Sequence, residues 1–284
     1  MGNVLCPVCR TRLSQGLTSW HRVCDTCAYE SAALTPNINL EAAHTHIDEL
    51  SREFGLKELR ISNFEKLINE IRLFKSRGTL LEVGCAHGWF LESTKLFFDV
   101  YGVEPDQNIY AGTRRKGLNV RLGYFPDALE AGEVFDVIVF NDVLEHIPDV
   151  NEVLIACRQH LTDKGILVIN LPNGKGLFYQ VSKLLCRLSV TSFFERMWQK
   201  GLPSPHVHYF DDENLARLLR SHDMVVKKTG RLSTVELSSL YKRVAYVGGG
   251  SSARNLLVFL GVLLLFPVLS ILPSDIVYFI AEKK

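Results

Sequence analysis

Two pairs of cysteines near the start of the chain carry the clearest chemical signature in the sequence. They read Cys6-Pro-Val-Cys9 and Cys24-Asp-Thr-Cys27, which are two C-x2-C pairs separated by 14 residues. Each pair can present two thiolates from one tight turn, and four thiolates complete the tetrahedral shell of a structural zinc ion. We therefore predict that residues 1–35 form a zinc ribbon with Cys6, Cys9, Cys24 and Cys27 as its ligands.

Other interpretations of this segment stay open. The four cysteines could instead form disulfides or a redox dithiol, and His21 could compete as a ligand, although four cysteines already fill the shell. So short a ribbon has little apolar core, so metal binding would supply much of its folding free energy. Cys85, Cys157 and Cys186 are scattered along the chain and are predicted to be packed thiols.

A second group of candidate residues follows short apolar runs farther along the chain. The run Leu81-Glu82-Val83 leads into a turn with small or absent side chains, at Gly84, Ala86 and Gly88, and such a turn lets a ligand approach the backbone. The next apolar run ends at Glu104, where a carboxylate can accept hydrogen bonds from a ribose diol. The fourth run ends in Asn141-Asp142-Val143-Leu144-Glu145-His146.

These residues are positioned by an alternation of apolar runs and helical patterns. Strands that alternate with helices indicate a parallel sheet with helices on both faces, whose ligand site lies at the carboxyl ends of the strands. The predicted strands are 79–83, 100–104, 119–122, 135–141 and 165–171. The predicted helices of this region are 87–98, 107–116, 150–160 and 212–222.

The glycine turn, Glu104 and the Asp142–His146 motif together resemble the class I S-adenosylmethionine-dependent methyltransferases, in particular bacterial small-molecule enzymes with a D-V-L-E-H motif. The resemblance covers residues 78 to about 173, and 206–224 and 275–283 more weakly. Ala86 departs from the family, which has glycine there. The resemblance implies an α/β fold, a Rossmann-like seven-stranded sheet within residues 78–284. Its sixth strand would be 225–229, and its last strand, near 274–283, would be antiparallel.

The resemblance also implies S-adenosylmethionine as the cofactor and a role for each motif. Glu82 and the turn from Gly84 to Gly88 would lie beside its methionine portion, and Glu104 would bind both ribose hydroxyls. Asn141 and Asp142 would lie next to the sulfonium and hold the amino-acid end. The candidates for contact with adenine follow the third strand and are Gly123, Tyr124 and Phe125.

Three histidines are candidate general bases. Methyl transfer is an in-line displacement, for which an enzyme supplies alignment, and a base is needed only if the acceptor must lose a proton. His146, His206 and His208 are the candidates because a neutral imidazole can take a proton near pH 7. The alternative for each is a structural role, such as anchoring the loop that follows His146.

Three other segments have a distinct character. Residues 36–77 have apolar side chains at helical spacing and predict a helical linker. Residues 174–208 are rich in aromatic and basic residues, which favours a lid or substrate insertion with an amphipathic helix, or else a surface helix packed on the sheet. Residues 242–274 form a hydrophobic insertion before the last strand. Its charge-free part, 256–272, is either a membrane-dipping hairpin flanked by basic residues or a buried helix or dimer interface.

Composition narrows the class of protein. A hydrophobic content of 47%, a charged content of 22% and a net charge of +1 exclude a disordered or collagen-like chain. The start of the chain lacks an apolar signal region, so we expect a cytoplasmic location, with peripheral contact to anionic lipids at the inner membrane face.

The predicted function is methyl transfer to a small-molecule or lipid-linked acceptor at an O, N or C atom. One alternative is an RNA methyltransferase that uses the ribbon to hold RNA, although residues 1–35 contain only Arg10, Arg12 and Arg22 as basic residues, so nucleic acid is not the expected partner. The other is a non-catalytic cofactor-binding subunit. A dehydrogenase is disfavoured because no Tyr-x3-Lys follows the fourth strand. The oligomeric state stays open.

Overall fold

The computed structural model describes residues 4–37, 49–234, 255–256, 259–261 and 272–284. Its centre is a seven-stranded sheet in the order β10-β11-β8-β7-β4-β5-β6. Strands β4 to β8 run parallel, and β11 lies antiparallel between β8 and β10, as predicted. The strands are β4 Thr79–Val83, β5 Asp99–Glu104, β6 Val120–Leu122, β7 Phe135–Asn141, β8 Leu161–Pro172, β10 Met224–Leu232 and β11 Ile276–Lys283.

Helices cover both faces of the sheet. Along β7, Val137 and Val139 point to one face and Ile138 and Phe140 to the other, and all four side chains are fully buried. One face packs against α1 Glu49–Arg72, α2 Trp89–Thr94 and α3 Gln107–Arg115. The other packs against α4 Val150–His160 and α7 Asp212–Ser221. The apolar run that predicted β7 thus forms the middle of both cores.

Most predicted elements are confirmed with small shifts of their ends. Strands β4 and β7 and helix α4 have the predicted bounds, whereas α2 spans only Trp89–Thr94 of the predicted 87–98. Helix α2 starts late because Gly88 before it has a φ of 72°, a left-handed conformation that does not continue a helix. The predicted helical linker 36–77 contains α1, and residues 38–48 lie outside the described part of the chain.

The N-terminal segment, residues 4–37, is here called the cysteine ribbon. It contains β1 Ser14–Gln15, β2 His21–Val23 and β3 Glu30–Ala32, which pair antiparallel in sequence order. A fourth strand, β9 His208–Tyr209, pairs with β3 and comes from the other end of the chain. The ribbon, predicted as a separate unit at 1–35, therefore shares a sheet with the main domain.

The insertion 174–208 also packs on the cysteine ribbon. It forms α5 Leu177–Arg187 and α6 Ser192–Met197. The ring of Phe194 stacks on Trp20 of the ribbon with 5.6 Å between centroids, and Tyr179 stacks on Tyr209 at 3.9 Å. This aromatic cluster, with Trp198 fully buried in it, holds the two helices in place. The helices predicted as part of a lid are thus fixed to the ribbon.

A buried carboxylate joins the ribbon to the insertion. Glu30 accepts hydrogen bonds from the Tyr179 hydroxyl (2.8 Å) and from Nε2 of His21 (2.7 Å), and it forms an ion pair with Lys183. Glu30→Gln is expected to lower the free energy of unfolding by about 3 kcal/mol, because it leaves a largely buried ammonium without its partner. Denaturant unfolding measures this loss.

The matched control for that substitution is an ion pair at the surface of the same insertion. Lys200 and Glu195 lie 2.7 Å apart and both are more than a third exposed. Glu195→Gln is therefore expected to change the free energy of unfolding by less than about 1 kcal/mol. Equal losses in the two variants would contradict the role given to the buried pair.

The hydrophobic insertion predicted at 242–274 lies mostly outside the described residues. Within the described ranges, no helix has both the length and the hydropathy that crossing a bilayer requires. The predicted membrane-dipping hairpin and its basic flanks, Lys242, Arg243 and Arg254, therefore stay predictions.

Candidate functional site

A cavity of roughly 490 Å³ opens at the carboxyl ends of β4, β5 and β7. This is the edge where a parallel sheet of this kind binds its ligand. Its wall on the sheet side contains Val83, Gly84, Ala86, Val103, Glu104, Pro105, Asp106, Ile109, Gly123, Tyr124, Phe125, Asp142, Val143, His146, Ile147 and Pro148. Its opposite wall contains Thr35, Pro36, Gln199, Leu202, Pro203 and Ser204.

The glycine turn forms the floor of the cavity. Gly84 has a φ of 68°, and a Cβ at this position would come within 2.7 Å of Val143. Ala86 is also left-handed, with a φ of 43°, so it occupies a conformation suited to the glycine that the family has there. Gly88 does not line the cavity, because it packs under α3 where a Cβ would meet Leu118 at 2.5 Å. Its contribution is to the shape of the turn.

Glu104 joins the turn to the next strand. Its Oε2 accepts a hydrogen bond from the Ala86 amide at 2.8 Å, and its Oε1 accepts one from the Asp106 amide at 2.9 Å. A carboxylate oxygen has a second lone pair, so each oxygen can also accept from a ligand hydroxyl. Burial raises the pKa of Glu104 to about 7, against the lowering effect of the two amides.

Glu82 and Asn141 lie behind the cavity wall rather than on it. Asn170 donates to Oδ1 of Asn141 at 2.7 Å, and Asn141 donates to Oε1 of Glu82 at 2.8 Å. The other carboxylate oxygen of Glu82 is buried without a hydrogen-bond partner, and burial raises the pKa of this group to about 8. The cofactor contact of these two residues stays a prediction, since neither side chain is part of the cavity lining.

Asp142 and Phe125, two further residues predicted to bind the cofactor, line the cavity. Asp142 is left-handed with a φ of 53°, which turns the chain out of β7, and burial raises the pKa of its carboxyl. Phe125 is largely buried, and its ring meets Phe140 edge to face at 5.8 Å. Gly123 and the half-exposed Tyr124 complete this side, so the residues predicted to contact adenine share one wall.

Of the three candidate bases, only His146 lines the cavity. Its Nδ1 lies 3.0 Å from the carbonyl oxygen of Pro205, which can only accept, so Nδ1 carries the proton in the neutral ring. The lone pair is then on Nε2, which lies 3.9 Å from a carboxylate oxygen of Glu145. In this tautomer Nε2 is the ring nitrogen that can accept a proton.

The structure assigns His208 and His206 to other tasks. His208 donates from Nε2 to the carbonyl of Ile147 at 2.8 Å and accepts at Nδ1 from the Tyr29 hydroxyl, and burial lowers its pKa to about 4. His206 contacts the side chain of Gln199 through Nε2 at 2.8 Å, outside the cavity lining. Both ring nitrogens of His208 are thus engaged, whereas the ring of His206 lies beside that of His146 with 4.8 Å between centroids, and a role of either residue as the base stays a prediction.

Among the residues that the structure describes, two clusters have the chemistry to hold a metal ion. In the ribbon, the thiols of Cys6 and Cys27 lie 3.5 Å apart, those of Cys9 and Cys24 lie 3.4 Å apart, and all four lie within 4.8 Å of one another. Sulfurs bound to one tetrahedral zinc are separated by about 3.8 Å. The four thiols therefore fit zinc.

His21 is not part of the thiol cluster, because its Nε2 donates a hydrogen bond to Glu30 and its Nδ1 accepts one from the Leu17 amide at 3.0 Å.

The second group with ligand atoms within 4.8 Å of one another consists of Glu145, His146 and His206. One carboxylate and two imidazoles are a donor set that divalent transition metals take.

Sequence reasoning missed several residues of the cavity. Asp106 lines it and also caps α3 by accepting from the amides of Asn108 and Ile109, and the local signal for this cap is an Asp directly before a helical pattern. The wall formed by Thr35, Pro36 and the loop 199–204 has no such local signal. Its two parts are more than 160 residues apart in sequence and meet only in the folded chain.

The strand order, the antiparallel β11 and a cavity between a glycine turn and an acidic strand end define the class I methyltransferase fold. A family model described as "Methyltransferase domain" matches residues 56–228, which is more than half of the chain. The chain belongs to this family.

Curated relatives match over part of their length. The human mitochondrial ubiquinone biosynthesis O-methyltransferase is 28% identical over 161 residues, which cover 52% of this chain and 42% of that protein. The Sinorhizobium medicae ubiquinone biosynthesis O-methyltransferase is 34% identical over 97 residues, which cover 32% of this chain and 39% of that protein. The match thus spans about two fifths of these relatives.

Solved structures share the fold at low sequence identity. A mycolic acid cyclopropane synthase aligns with a TM-score of 0.57 at 14% identity and covers 88% of this chain and 90% of that one. A possible histamine N-methyltransferase from Thermotoga maritima aligns with a TM-score of 0.53 at 16% identity and covers 84% and 96%. At these sequence identities the structural similarity shows a shared fold and nothing about the reaction.

Proposed function

We propose that this chain transfers a methyl group from S-adenosylmethionine to a hydroxyl oxygen of a small or lipid-linked acceptor. The observation that carries the proposal is the cavity itself, in which the glycine turn, Glu104, Asp142 and His146 share one wall. The names of the curated relatives, ubiquinone biosynthesis O-methyltransferases, support oxygen as the methylated atom and a lipid-linked ring as the acceptor class.

The residues of the sheet-side wall fit a cationic nucleoside. Glu104 offers two oxygens to the ribose hydroxyls, and Phe125 offers an apolar surface to adenine. Glu104, Asp106 and Asp142 make this wall acidic, which suits the positive charge of the cofactor. When bound, S-adenosylmethionine supplies a methyl carbon attached to a sulfonium. The chain's own contribution is to hold the two reactants in line and to exclude water.

We assign His146 the role of removing the proton from the acceptor hydroxyl. The carbonyl of Pro205 fixes its tautomer, so Nε2 takes the proton from the acceptor hydroxyl. His146→Asn keeps a donor near the Nδ1 position and removes the base, so kcat is expected to fall by about 100-fold or more while the Kd for S-adenosylhomocysteine changes less than about threefold. Steady-state kinetics and calorimetry measure the two effects.

The control for that variant is His222→Gln. His222 bonds Asn151 at 2.8 Å, away from the cavity, so its replacement is expected to leave kcat within about twofold. A His146→Asn variant with wild-type kcat would remove the base from the mechanism. A parallel loss of S-adenosylhomocysteine binding would show that His146 shapes the cofactor site instead.

Cofactor binding is expected to depend on pH through Glu104 and Glu82. Burial raises the pKa of Glu104 to about 7 and that of Glu82 to about 8, above the ordinary 4.5, so the folded protein without cofactor is most stable when both carboxyls are protonated. Its free energy of unfolding therefore falls as the pH rises from about 4.5 to 8. A bound cation favours the carboxylates, so S-adenosylmethionine binding releases protons.

If Glu104 alone sets this dependence, the affinity for S-adenosylmethionine rises about tenfold between pH 6 and pH 8. Calorimetry in two buffers of different ionisation enthalpy measures both the affinity and the released protons. An affinity that is flat over this range would contradict the assignment of Glu104 to the cationic cofactor.

We also propose that the four cysteines of the ribbon hold a structural zinc ion, which their thiol geometry supports.

Peripheral contact with anionic lipids is a further proposal, supported by the charge-free sequence 256–272 and the basic residues before it. Flotation of the full chain with anionic liposomes measures this contact, and absence of the chain from the floated fraction would end that proposal.

The decisive experiment for the reaction is incubation of the purified chain with methyl-labelled S-adenosylmethionine and separated lipid, small-molecule and RNA extracts. Uptake of label by the lipid or small-molecule pool is the expected result. Label in RNA would favour the alternative in which the ribbon holds RNA. Cofactor binding without transfer to any pool would favour a non-catalytic subunit.

A further inference from the structure

The cavity has a second wall, which the cofactor roles do not use. It contains Thr35 and Pro36 at the end of the cysteine ribbon and the loop 199–204 after α6. The two parts are joined by backbone hydrogen bonds, from the Asn37 amide to the Pro203 carbonyl at 2.7 Å and from the Ala32 amide to the Val207 carbonyl at 3.1 Å. This wall is therefore a built surface that the ribbon and the insertion make together.

The same wall is tied to the strand end that holds His146. His208 bridges the Tyr29 hydroxyl of the ribbon and the carbonyl of Ile147, and the Val207 amide donates to the Glu145 carbonyl at 2.8 Å. His206 contacts the side chain of Gln199, whose backbone has a left-handed φ of 51°. These contacts set the distance between the second wall and His146.

The charge of the cavity limits what the second wall can bind. None of the described residues that line the cavity is lysine or arginine, while Glu104, Asp106 and Asp142 are acidic. A carboxylate or phosphate placed against the second wall would lose its hydration without gaining a cationic partner from that wall, because its lining residues are uncharged. Thr35, Gln199 and Ser204 offer neutral hydrogen-bonding groups between the apolar Pro36, Leu202 and Pro203.

We propose that Thr35, Pro36 and the loop 199–204 form the acceptor subsite, so that the cysteine ribbon takes part directly in substrate recognition. The subsite binds a neutral, hydroxyl-bearing ring, and any anionic group of the acceptor lies outside the cavity. This inference rests on the proposed methyltransferase function, because it assigns the sheet-side wall to the cofactor and the opposite wall to the acceptor.

The test uses the full chain, saturated with S-adenosylhomocysteine, and two probes of similar size that differ in charge, phenol and benzoate. Thr35→Trp and Ser204→Trp place a large ring in the subsite, and Gln15→Trp adds one to an exposed strand of the same ribbon as the control. Calorimetry gives the Kd for S-adenosylhomocysteine. Saturation-transfer NMR reports contact of each probe with the protein.

In the expected result, all three variants bind S-adenosylhomocysteine within about threefold of the wild type. The phenol signal is kept in Gln15→Trp and falls at least fivefold in both cavity variants, and benzoate gives a weaker signal than phenol in the wild type. An unchanged phenol signal in Thr35→Trp and Ser204→Trp would overturn the subsite, as would a stronger signal from benzoate. Loss of S-adenosylhomocysteine binding in the cavity variants alone would assign the wall to the cofactor instead. If the wild type does not bind S-adenosylhomocysteine, the proposed function itself is refuted.

Discussion

Glu104→Gln is expected to weaken binding of S-adenosylhomocysteine about 10- to 100-fold. In the structure each carboxylate oxygen accepts a hydrogen bond from a backbone amide, that of Ala86 or that of Asp106. An amide side chain has one acceptor and one donor, so one of these N–H groups would lose its partner in the free and the bound protein alike, which lowers stability rather than affinity. The affinity falls because a charged acceptor for a ribose hydroxyl is lost. A hydrogen bond to a charged group is worth about 1.5–3 kcal/mol, or about 10- to 100-fold in Kd.

The control for this prediction is Glu92→Gln on the surface of α2. Glu92 pairs with Lys116 at 3.5 Å, and both side chains are more than a third exposed, so its replacement is expected to leave the Kd within about twofold. Calorimetry with both variants gives the comparison, and thermal unfolding shows whether Glu104→Gln is folded. A folded Glu104→Gln protein that keeps wild-type affinity would remove Glu104 from the cofactor site.

Cys24→Ser is expected to abolish zinc binding and to unfold the cysteine ribbon. Cys24 is buried and lies 3.4 Å from Cys9 in the four-thiol cluster. The ribbon has few apolar residues of its own, and structural zinc supplies on the order of 10 kcal/mol to the folding of comparable small domains. Because β9 pairs with β3 of the ribbon, the loss is expected to spread to the second wall of the cavity.

The measurement is the zinc content of the purified protein together with hydrogen exchange of the peptide that contains residues 199–208. The wild type is expected to hold about one zinc per chain, and Cys24→Ser to hold none and to exchange faster in this peptide. Cys186→Ala is the control, because it removes a buried thiol of α5 that lies outside the cluster. Zinc retained by Cys24→Ser, or lost equally in the control, would contradict the assignment.

Local pattern was enough to predict the central part of the fold. Strand β4 has the predicted ends because Gly78 and Gly84 bound its apolar run, and β7 has the predicted end because its apolar run stops at the polar Asn141 and Asp142. The order of glycine turn, acidic strand end and D-V-L-E-H motif then located one wall of the cavity, since parallel strands bring their carboxyl ends to one edge. Glu104, Phe125, Asp142 and His146, for which cofactor or catalytic roles are predicted, lie on that wall.

The roles of the other candidates depended on distant contacts. His206 and His208 occur in a polar, histidine-rich stretch that suits a catalytic loop, yet Tyr29 and Ile147 occupy both nitrogens of the His208 ring. Nothing within a few residues of His208 indicates a partner 179 positions earlier in the chain. A side chain's neighbours in sequence cannot reveal which of its hydrogen-bonding atoms the folded chain will occupy.

The amino-acid sequence by itself determined the strand–helix alternation, the strand ends that line the cavity and the four-cysteine cluster, because each depends on spacings of a few residues. Only the tertiary structure decided that the ribbon shares a sheet with β9, that the insertion helices pack on it, and that Thr35 faces the loop 199–204. The physical reason is the separation in sequence over which each kind of interaction acts. Periodicity and turn chemistry act between near neighbours, whereas the second wall is produced by packing and hydrogen bonds between segments that only the folded sheet brings together.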